Sequence, residues 1–315
     1  MKQKENLKAS QFWYCVEIQR RYGTLQRARG CYLYTRSGHR LVDMYQEFGR
    51  AILGWGNSKA MLQFKNIMNR GLTGSFITDY SYGLERAIKT LLPEYKEIRW
   101  FSSLDSAEKA IALYYGTDIK IPLGEHPVLD TVTDMFAEEM QDLAFFEWLT
   151  INGVPRWRPW LDEAWFADSQ NIPDKVFHIE PHIHDAVVIV PPLALARSYY
   201  IIAFNDSEGR QIPPSDILLP PVMAATTRAI YDLIDELHIR SEKDWNLFDK
   251  VLLKYWKRRG PYLLPKIPLL KYKDFFAHCL DCGIVISPNY RNPSIIPYGA
   301  NIGDFRKLAK NPFEW

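Results

Sequence analysis

Hydrophobic and polar positions follow two rhythms along this chain, one with the period of a helix and one with the period of a strand. Apolar residues at helical spacing run through SKAMLQFKNIMNRG, which ends at Gly71, and through SYGLERAIKTLLPEY, which Pro93 breaks. The same rhythm predicts further helices over SQFWYCVEIQRRY, DSAEKAIALYYG, KDFFAHCLDCG, the stretch beginning at IGDFRKL, and residues 125–150, 222–237 and 242–257.

Short alternating or unbroken apolar runs predict the strands. Two such runs flank Ser37-Gly38 and predict a β-hairpin. EIRWFSS, DAVVIV, YYIIAF and IVISP predict further strands, whereas GPYLLPKIP is predicted to be a loop. Only eight residues separate DAVVIV from YYIIAF, which is too few for the helical crossover of a parallel pair, so we expect an antiparallel pair. Helices alternate with strands throughout, which indicates an α/β class.

Charge and composition narrow the class of protein. The 39 basic and 37 acidic residues leave a net charge of +2, so no field over the whole chain attracts polyanions, and we expect no nucleic acid partner. The polar beginning of the chain lacks the apolar run of a signal peptide, and no stretch reaches the roughly 18 to 20 apolar residues of a membrane span. Four cysteines are too few for a disulfide framework, and Cys279 and Cys282 form a lone CxxC without a second pair for zinc. These features predict a cytoplasmic protein with no membrane partner.

Several motifs, taken in order, resemble the class III aminotransferases, such as glutamate-1-semialdehyde aminomutase. The segment RARGCYLYTRSGHRLVDMYQEFGRAILGWGNSKAML has their small hairpin, their D-x-x-x-x-x-G stretch and their turn into a helix. These features are carried by Gly38, Asp43, Gly49, Leu53 and Gly54, and the match continues through Glu85, Pro93 and Phe101. YKDFFAHCLDCGIVISPNYRNPSIIPYGANIGDF is similar to the closing segment of the same family.

The resemblance covers residues 27–116 and 261–308 and implies fold type I of the pyridoxal phosphate (PLP) enzymes. It implies a small α/β lobe made of an N-terminal segment, 1–70, and a C-terminal small domain, 241–315. Between them, residues 71–240 would form a large α/β domain whose sheet is truncated. It also implies a homodimer, because the sites of that family form between subunits.

PLP requires a phosphate cup and an acid beside its ring nitrogen. The family's cup, S-G-[TS]-E-A, matches Ser102-Ser103-Leu104-Asp105-Ser106 here. Ser102, Ser103 and Ser106 keep hydroxyls for a phosphate, but the close-approach glycine is replaced by Ser103 and the acid at 105 would repel a phosphate. The alternative is an ordinary helix capped by Ser103 or Asp105. Asp206 follows YYIIAF in roughly the place of the ring-nitrogen acid.

The Schiff-base lysine cannot be assigned. The resemblance places it after the central strands and before Pro220-Pro221, yet no lysine occurs between Lys175 and Lys243. Without it, transamination loses both its covalent link and its proton-shuttling base. We therefore predict a catalytically degenerate protein that does not need PLP. The alternative is an active PLP-dependent aminotransferase or aminomutase with a displaced lysine, of which Lys175 is the candidate beside Lys243 and Lys271.

A small-ligand pocket or a protein-binding role is expected to remain. The resemblance places Tyr290 and Arg291 in a substrate-facing loop, where Arg291 could grip a carboxylate with two hydrogen bonds. The predicted ligand is accordingly a small molecule with an amino or carboxylate group.

Two further patterns leave alternatives open. If FHIEPHIHD is extended, one strand face carries metal-ligand types at period two, namely His178, Glu180, His182 and His184. The competing interpretation is an exposed polar edge strand. LKYWKRRGPYLLPK mixes basic and aromatic residues in a manner suited to single-stranded nucleic acid. At a helix C-terminus the same charges would instead complement the dipole, which is the interpretation we favour.

Overall fold

The structure is a computed structural model that describes residues 13–116, 150–151, 154–161, 185–195, 199–205 and 210–315. Its α-helices are α1 (Trp13–Tyr22), α2 (Ser58–Asn69), α3 (Tyr80–Leu91), α4 (Leu104–Tyr115), α5 (Pro220–Ile239), α6 (Glu242–Trp245), α7 (Asp249–Leu252), α8 (Tyr272–Asp281) and α9 (Arg306–Lys310). Its strands are β1 (Leu25–Arg29), β2 (Tyr32–Thr35), β3 (Arg40–Asp43), β4 (Glu97–Phe101), β5 (Thr150–Ile151), β6 (Val154–Trp157), β7 (Ala186–Ile189), β8 (Tyr200–Phe204), β9 (Trp256–Arg259), β10 (Tyr262–Pro265), β11 (Ile284–Val285) and β12 (Ser294–Ile295). Short 3-10 helices span Gln46–Gly49, Asn246–Phe248, Leu269–Lys271 and Ile302–Phe305.

The chain divides into two compact units. Residues 1–56 and 242–315 form the first unit, and residues 57–241 form the second. In the first unit, a four-stranded sheet has the order β1-β2-β3-β11, and a three-stranded sheet has the order β12-β10-β9. Strands β2 and β3 form the hairpin predicted around Ser37-Gly38, and β11 adds to β3 in parallel.

The second unit is built on a five-stranded sheet in the order β4-β8-β7-β6-β5. Strand β8 is antiparallel to both β4 and β7, whereas β6 is parallel to β7. The antiparallel pairing expected from the eight residues between DAVVIV and YYIIAF is thus confirmed. It follows that β4, β6 and β7 run in one direction, so that their carboxyl ends lie at the same edge of the sheet.

Both faces of this sheet are covered, which explains why its strands are unbroken apolar runs. On one face, Ile201 belongs to a core that α3 and α5 complete with Leu84 and Ile230. On the other face, Ile202 belongs to a core that α4 completes with Ile111. Ser103 caps α4 with its side chain, so a strand, a turn and a helix follow one another at the edge described above.

Two expectations about the C-terminal part were wrong. GPYLLPKIP is not a loop, because Tyr262–Pro265 form β10, and the helix expected over 242–257 ends early, because β9 begins at Trp256. The two strands pair across a turn at Gly260, whose φ of +50° lies in the left-handed region that glycine tolerates. Burial of the whole of β10 decides the outcome, since local helical periodicity is a weaker signal than pairing and packing. The helix expected over 125–150 lies, up to residue 149, outside the described residues.

Candidate functional site

The three predicted cup serines meet at the start of α4. Ser103 is extended, with φ −147° and ψ 160°, and its Oγ accepts a hydrogen bond of 3.1 Å from the Ser106 N–H. The Oγ atoms of Ser103 and Ser106 lie 2.9 Å apart, within hydrogen-bond distance. These contacts form the N-cap of an ordinary helix, as one of the two interpretations of the sequence expected.

The third serine is held by an aspartate that the sequence did not single out. The Ser102 N–H and the Ser102 Oγ both donate to Oδ2 of Asp216, at 2.8 and 2.7 Å. The segment that carries Asp216 lies along the end of β4, because the Asp216 N–H donates to the Trp100 carbonyl at 2.9 Å. The Trp100 N–H in turn donates to Ser215 Oγ at 3.2 Å. A carboxylate of the chain itself therefore accepts the two hydrogen bonds that Ser102 could otherwise donate to a phosphate.

A second carboxylate stands in the first turn of α4. Asp105 forms an ion pair with Lys109 at 2.8 Å, and both side chains are about three-quarters exposed. Because the ion pair is exposed, water screens it and it contributes little stability. Because Lys109 offsets its negative charge, Asp105 adds only in part to the charge of Asp216 at the edge where an anion would have to enter.

A half-buried pair of opposite charge, Arg156 and Glu108, lies at the sheet face that α4 covers. Arg156 of β6 is opposite Val188, on the sheet face that α4 covers, and burial lowers the pKa of its guanidinium. Glu108 of α4 has its pKa raised by burial and by Asp105, while Arg156 acts in the opposite direction. Arg156 Nε and Glu108 Oε1 are both enclosed. Within the described part of the chain, Arg156 Nε donates no hydrogen bond and Glu108 Oε1 accepts none. Arg156 and Glu108 therefore lie close enough for each to act on the pKa of the other, while one atom of each makes no hydrogen bond.

The described lysines are all on the surface or half-exposed. In the second unit, Lys65 and Lys96 are exposed, and the others pair with acids: Lys59 with Asp232, Lys89 with Glu85 and Lys109 with Asp105. Lys243 and Lys271 are exposed in the first unit. A lysine that serves as a nucleophile is commonly activated by desolvation in a pocket. None of the described lysines has that environment, and Lys175 lies outside the described residues.

Tyr290 and Arg291 occupy a turn that follows β11 in the first unit. The Tyr290 ring is buried and packs edge-on against Tyr272, with 5.2 Å between the ring centroids. Arg291 is half-buried, and its N–H donates to Asn289 Oδ1 at 3.0 Å. These two consecutive residues thus lie in one turn, and the tyrosine ring packs in the core of the first unit.

The remaining predicted groups are placed as follows. Asp206 and the histidine stretch from His178 to His184 lie outside the described residues. Within the described ranges, no three histidine, cysteine or acidic side chains are grouped as metal ligands. Cys279 and Cys282 are free thiols near the end of α8, and burial raises the pKa of both, so neither has the lowered pKa of a reactive thiolate.

A buried aspartate organises the N-terminal motif of the first unit. Asp43 Oδ1 accepts hydrogen bonds of 3.0 Å from the N–H groups of Tyr45 and Gln46, and Oδ2 accepts one of 2.5 Å from Trp55 Nε1. Burial raises the pKa of Asp43 to about 6. The chain beyond it turns through three consecutive positive φ angles, from Gln46 to Phe48, a strained path that the Asp43 contacts hold in place.

The fold is that of the fold-type-I aminotransferases. The chain is similar to the β-phenylalanine aminotransferase of Variovorax paradoxus, with a TM-score of 0.60 and 13% identity, over 96% of this chain and 92% of that one. It is similar to the acetylornithine aminotransferase of Elizabethkingia anophelis, with a TM-score of 0.58 and 14% identity, over 95% and 97% of the two chains. A third likeness, to the ornithine δ-aminotransferase of Plasmodium falciparum, has a TM-score of 0.58 and 13% identity over 96% of each chain. Identities this low establish the fold alone.

In sequence, the chain is similar to two uncharacterised proteins over nearly its whole length. One, from Treponema pallidum (strain Nichols), is 26% identical in an alignment 330 residues long that covers 90% of this chain and 92% of that protein. The other, from Borreliella burgdorferi, is 24% identical over 295 residues, or 92% of each. No protein-family model matches the chain. None of the helices in the described part combines the length and the apolar character that crossing a bilayer requires.

Proposed function

We propose that this chain is a catalytically degenerate protein of the class III aminotransferase lineage, a homodimer that acts in the cytoplasm by binding rather than by transamination. Its ligand would be a small molecule with an amino and a carboxylate group. The observation that carries this proposal is the contact between Asp216 and Ser102. Where a PLP enzyme offers donors to the cofactor's phosphate, this chain supplies a carboxylate of its own.

The group that PLP would present does not fit this edge of the sheet. A phosphate beside Ser102 would meet Asp216 at the same donors and would have Asp105 on the next helical turn. Two like charges at short distance disfavour such binding. The positions of the described lysines support the same conclusion, because none is enclosed near this edge and the sequence has none between Lys175 and Lys243.

The half-buried pair of Arg156 and Glu108 supports the proposed ligand class. Arg156 presents a guanidinium, which binds a carboxylate with two parallel hydrogen bonds, and Glu108 presents a carboxyl that can accept from an ammonium group. Buried polar atoms generally find partners, so Arg156 Nε and Glu108 Oε1, which are enclosed and make no hydrogen bond within the described residues, favour a zwitterion or ordered water at this pair. A small amino acid has both charges at that scale.

A group of exposed apolar side chains supports the proposed homodimer. Between α2 and α3, the side chains of Phe76 and Ile77 are 54% and 102% exposed, next to one another in sequence. Leu62, Met68 and Tyr82, on the two flanking helices, are exposed as well. Monomers rarely leave such a group of large apolar side chains in water, so coverage by a second copy is the expected arrangement.

A PLP titration tests the proposal. Purified protein is mixed with increasing PLP, its near-visible absorbance is recorded before and after borohydride reduction, and the reduced protein is digested to locate any modified lysine. We expect no saturable band and no lysine labelled in preference to the others. A saturable band fixed to one lysine, whether Lys175, Lys243 or Lys271, would refute degeneracy and establish the displaced-lysine enzyme.

The binding half of the proposal has its own measurement. A panel of amino acids is tested by thermal shift and calorimetry against the wild type, Arg156→Gln and Glu108→Gln. We expect a ligand that stabilises the wild type and loses at least tenfold in affinity in either variant, as the loss of one charged hydrogen-bonding partner implies. Because this readout does not involve PLP, it separates the ligand from the question of the cofactor.

A further inference from the structure

One stretch of the first unit concentrates positive charge. Residues 250–273 contain eight basic residues and no acidic residue, although the whole chain has a net charge of only +2. The sequence pattern favoured a helix end, where the basic residues would complement the dipole. The structure instead places the middle of this stretch in the antiparallel strands β9 and β10. Arg258 forms ion pairs with Glu242 and Asp249, so it is the exposed lysines of the stretch that need a different explanation.

The register of the two strands brings the ends of this stretch together. Trp256, which begins β9, is opposite Pro265, which ends β10, so the flanking residues leave the sheet at the same end. There the Lys266 N–H donates to the Tyr255 carbonyl at 2.8 Å, and Lys266 Nζ donates to the Leu253 carbonyl, also at 2.8 Å. The segment before β9 and the segment after β10 thus form one continuous surface.

That surface combines apolar and basic side chains. Leu253 and Leu269 are each 37% exposed and Leu270 is 82% exposed. Three exposed lysines lie among them along the chain, and within the described residues none of the three forms an ion pair with an acid. We call this group the leucine–lysine surface; its members are Leu253, Lys254, Lys266, Leu269, Leu270 and Lys271.

We propose that the leucine–lysine surface attaches the protein to a membrane that contains anionic lipid. Lysines near such a bilayer are attracted to its headgroups, and leucines beside them can enter the boundary between headgroups and acyl chains. Attachment of this kind needs no membrane-spanning helix. The proposal therefore differs from the expectation of no membrane partner, which was based on the lack of a membrane-spanning stretch in the sequence. It is also independent of the proposed function.

Nucleic acid is the other polyanion that a basic surface could bind. Sequence-tolerant binding of single strands relies on aromatic rings that stack on the bases. The aromatic residues of this stretch are not available for stacking, because Tyr255, Trp256, Tyr262 and Tyr272 are at most 4% exposed. The side chains left in solvent beside the lysines are leucines, which favour lipid.

Vesicle flotation tests the proposal with the full chain. Vesicles of phosphatidylcholine mixed with phosphatidylglycerol are compared with vesicles of phosphatidylcholine alone, at low and at raised sodium chloride. We expect binding to the anionic vesicles only, weakening as salt rises. The double variant Lys254→Glu/Lys271→Glu should bind about 25-fold more weakly or worse, at about fivefold per lysine. Leu270→Ser should lose about fivefold.

Matched variants elsewhere in the chain provide the controls. Lys96→Glu/Lys310→Glu makes the same change of charge at two exposed lysines, and Leu113→Ser removes a leucine that is 44% exposed. Both should bind vesicles as the wild type does. Equal losses in test and control variants, or equal binding to both kinds of vesicle, would overturn the proposal.

Two other occupants of the surface have distinct signatures. If a single-stranded RNA oligonucleotide binds, and the lysine variant abolishes that binding while Leu270→Ser leaves it intact, the surface serves nucleic acid and the lipid proposal fails. If the wild type ignores vesicles and Leu270→Ser converts a dimer into a monomer by light scattering, a second copy covers the leucines. The lipid proposal fails in that case too.

Discussion

Replacing Asp216 by alanine should convert the edge of the second-unit sheet into an anion site. The substitution removes the carboxylate that accepts from both the N–H and the Oγ of Ser102, at 2.8 and 2.7 Å. Both donors then face an entering anion at the start of α4. The isosteric Asp216→Asn variant keeps the shape of the side chain and removes only its charge. Comparison of the two variants therefore distinguishes the effect of the empty space from the effect of the charge.

The expected gain follows from Coulomb's law. Two unit charges about 4 Å apart repel by about 1 kcal/mol in water and by about 4 kcal/mol at an effective dielectric constant near 20. Asp216 is half-buried and Ser102 is exposed, so the lower part of this range applies. A phosphate with nearly two charges would gain about 2 kcal/mol, or about 30-fold in affinity, from removal of the carboxylate.

Calorimetry with inorganic phosphate measures the change directly. The wild type should show no binding at millimolar phosphate, and both Asp216 variants should show it, more weakly at raised salt. Asp105→Asn is the control at a nearby carboxylate, in the first turn of α4, because Asp105 is exposed and already paired with Lys109. Its effect should be several-fold smaller. If the wild type binds phosphate as tightly as the variants, or if neither variant gains binding, Asp216 does not stand in for an anion.

Three further outcomes follow from the structure. Burial raises the pKa of Asp43 from 3.8 to about 6, so the contribution of protonated Asp43 to the free energy of unfolding is fully present below pH 4 and is lost as the pH rises through 6. Asp43→Asn should remove this pH dependence of about 3 kcal/mol, as measured by urea unfolding at several pH values. Ile202→Ala, at a fully buried position between β8 and α4, should lower the free energy of unfolding by about 2 to 5 kcal/mol, whereas Leu113→Ala, exposed on α4, should change it by less than about 1 kcal/mol. Ile77→Asp should turn a dimer into a monomer in light scattering, and an unchanged mass would show that Phe76 and Ile77 do not form the dimer contact.

The elements that the sequence predicted well are those whose signal is local. The capping of α4 by Ser103 depends on one side chain and the next turn of backbone, and the antiparallel pairing of β7 with β8 depends only on the length between them. By contrast, β10 was missed because its four buried residues follow Gly260-Pro261 and end in Pro265, and these residues favour a loop when considered alone. Its partners β9 and β12 supply the pairing, and β12 lies some thirty residues further along.

The site illustrates the same division more sharply. The serines were found because they follow a strand and begin a helix, which is a local signature. Asp216 lies 114 residues from Ser102, in a loop where an acid carries no periodic or motif signal. No pattern in a single sequence relates these two residues, because the contact is made by the path of the segment along β4. Only the fold shows that the donors are already satisfied.

The hydrogen bonds that already occupy the Ser102 donors also bear on why such a fold persists. A sheet edge that offers donors to an anion is least stable when it is empty, and a ligand that binds the folded state adds stability in proportion to the logarithm of its concentration over Kd. A chain that provides its own carboxylate gains the hydrogen bonds at every ligand concentration. The two bonds to Asp216 are each worth about 1 kcal/mol at this partly exposed position. Asp216→Ala should therefore unfold at a lower temperature than the wild type, and phosphate should restore the midpoint of the variant while leaving that of the wild type unchanged. If phosphate raises both midpoints equally, the anion binds elsewhere, and the Asp216 contact is a loop attachment without the role assigned to it.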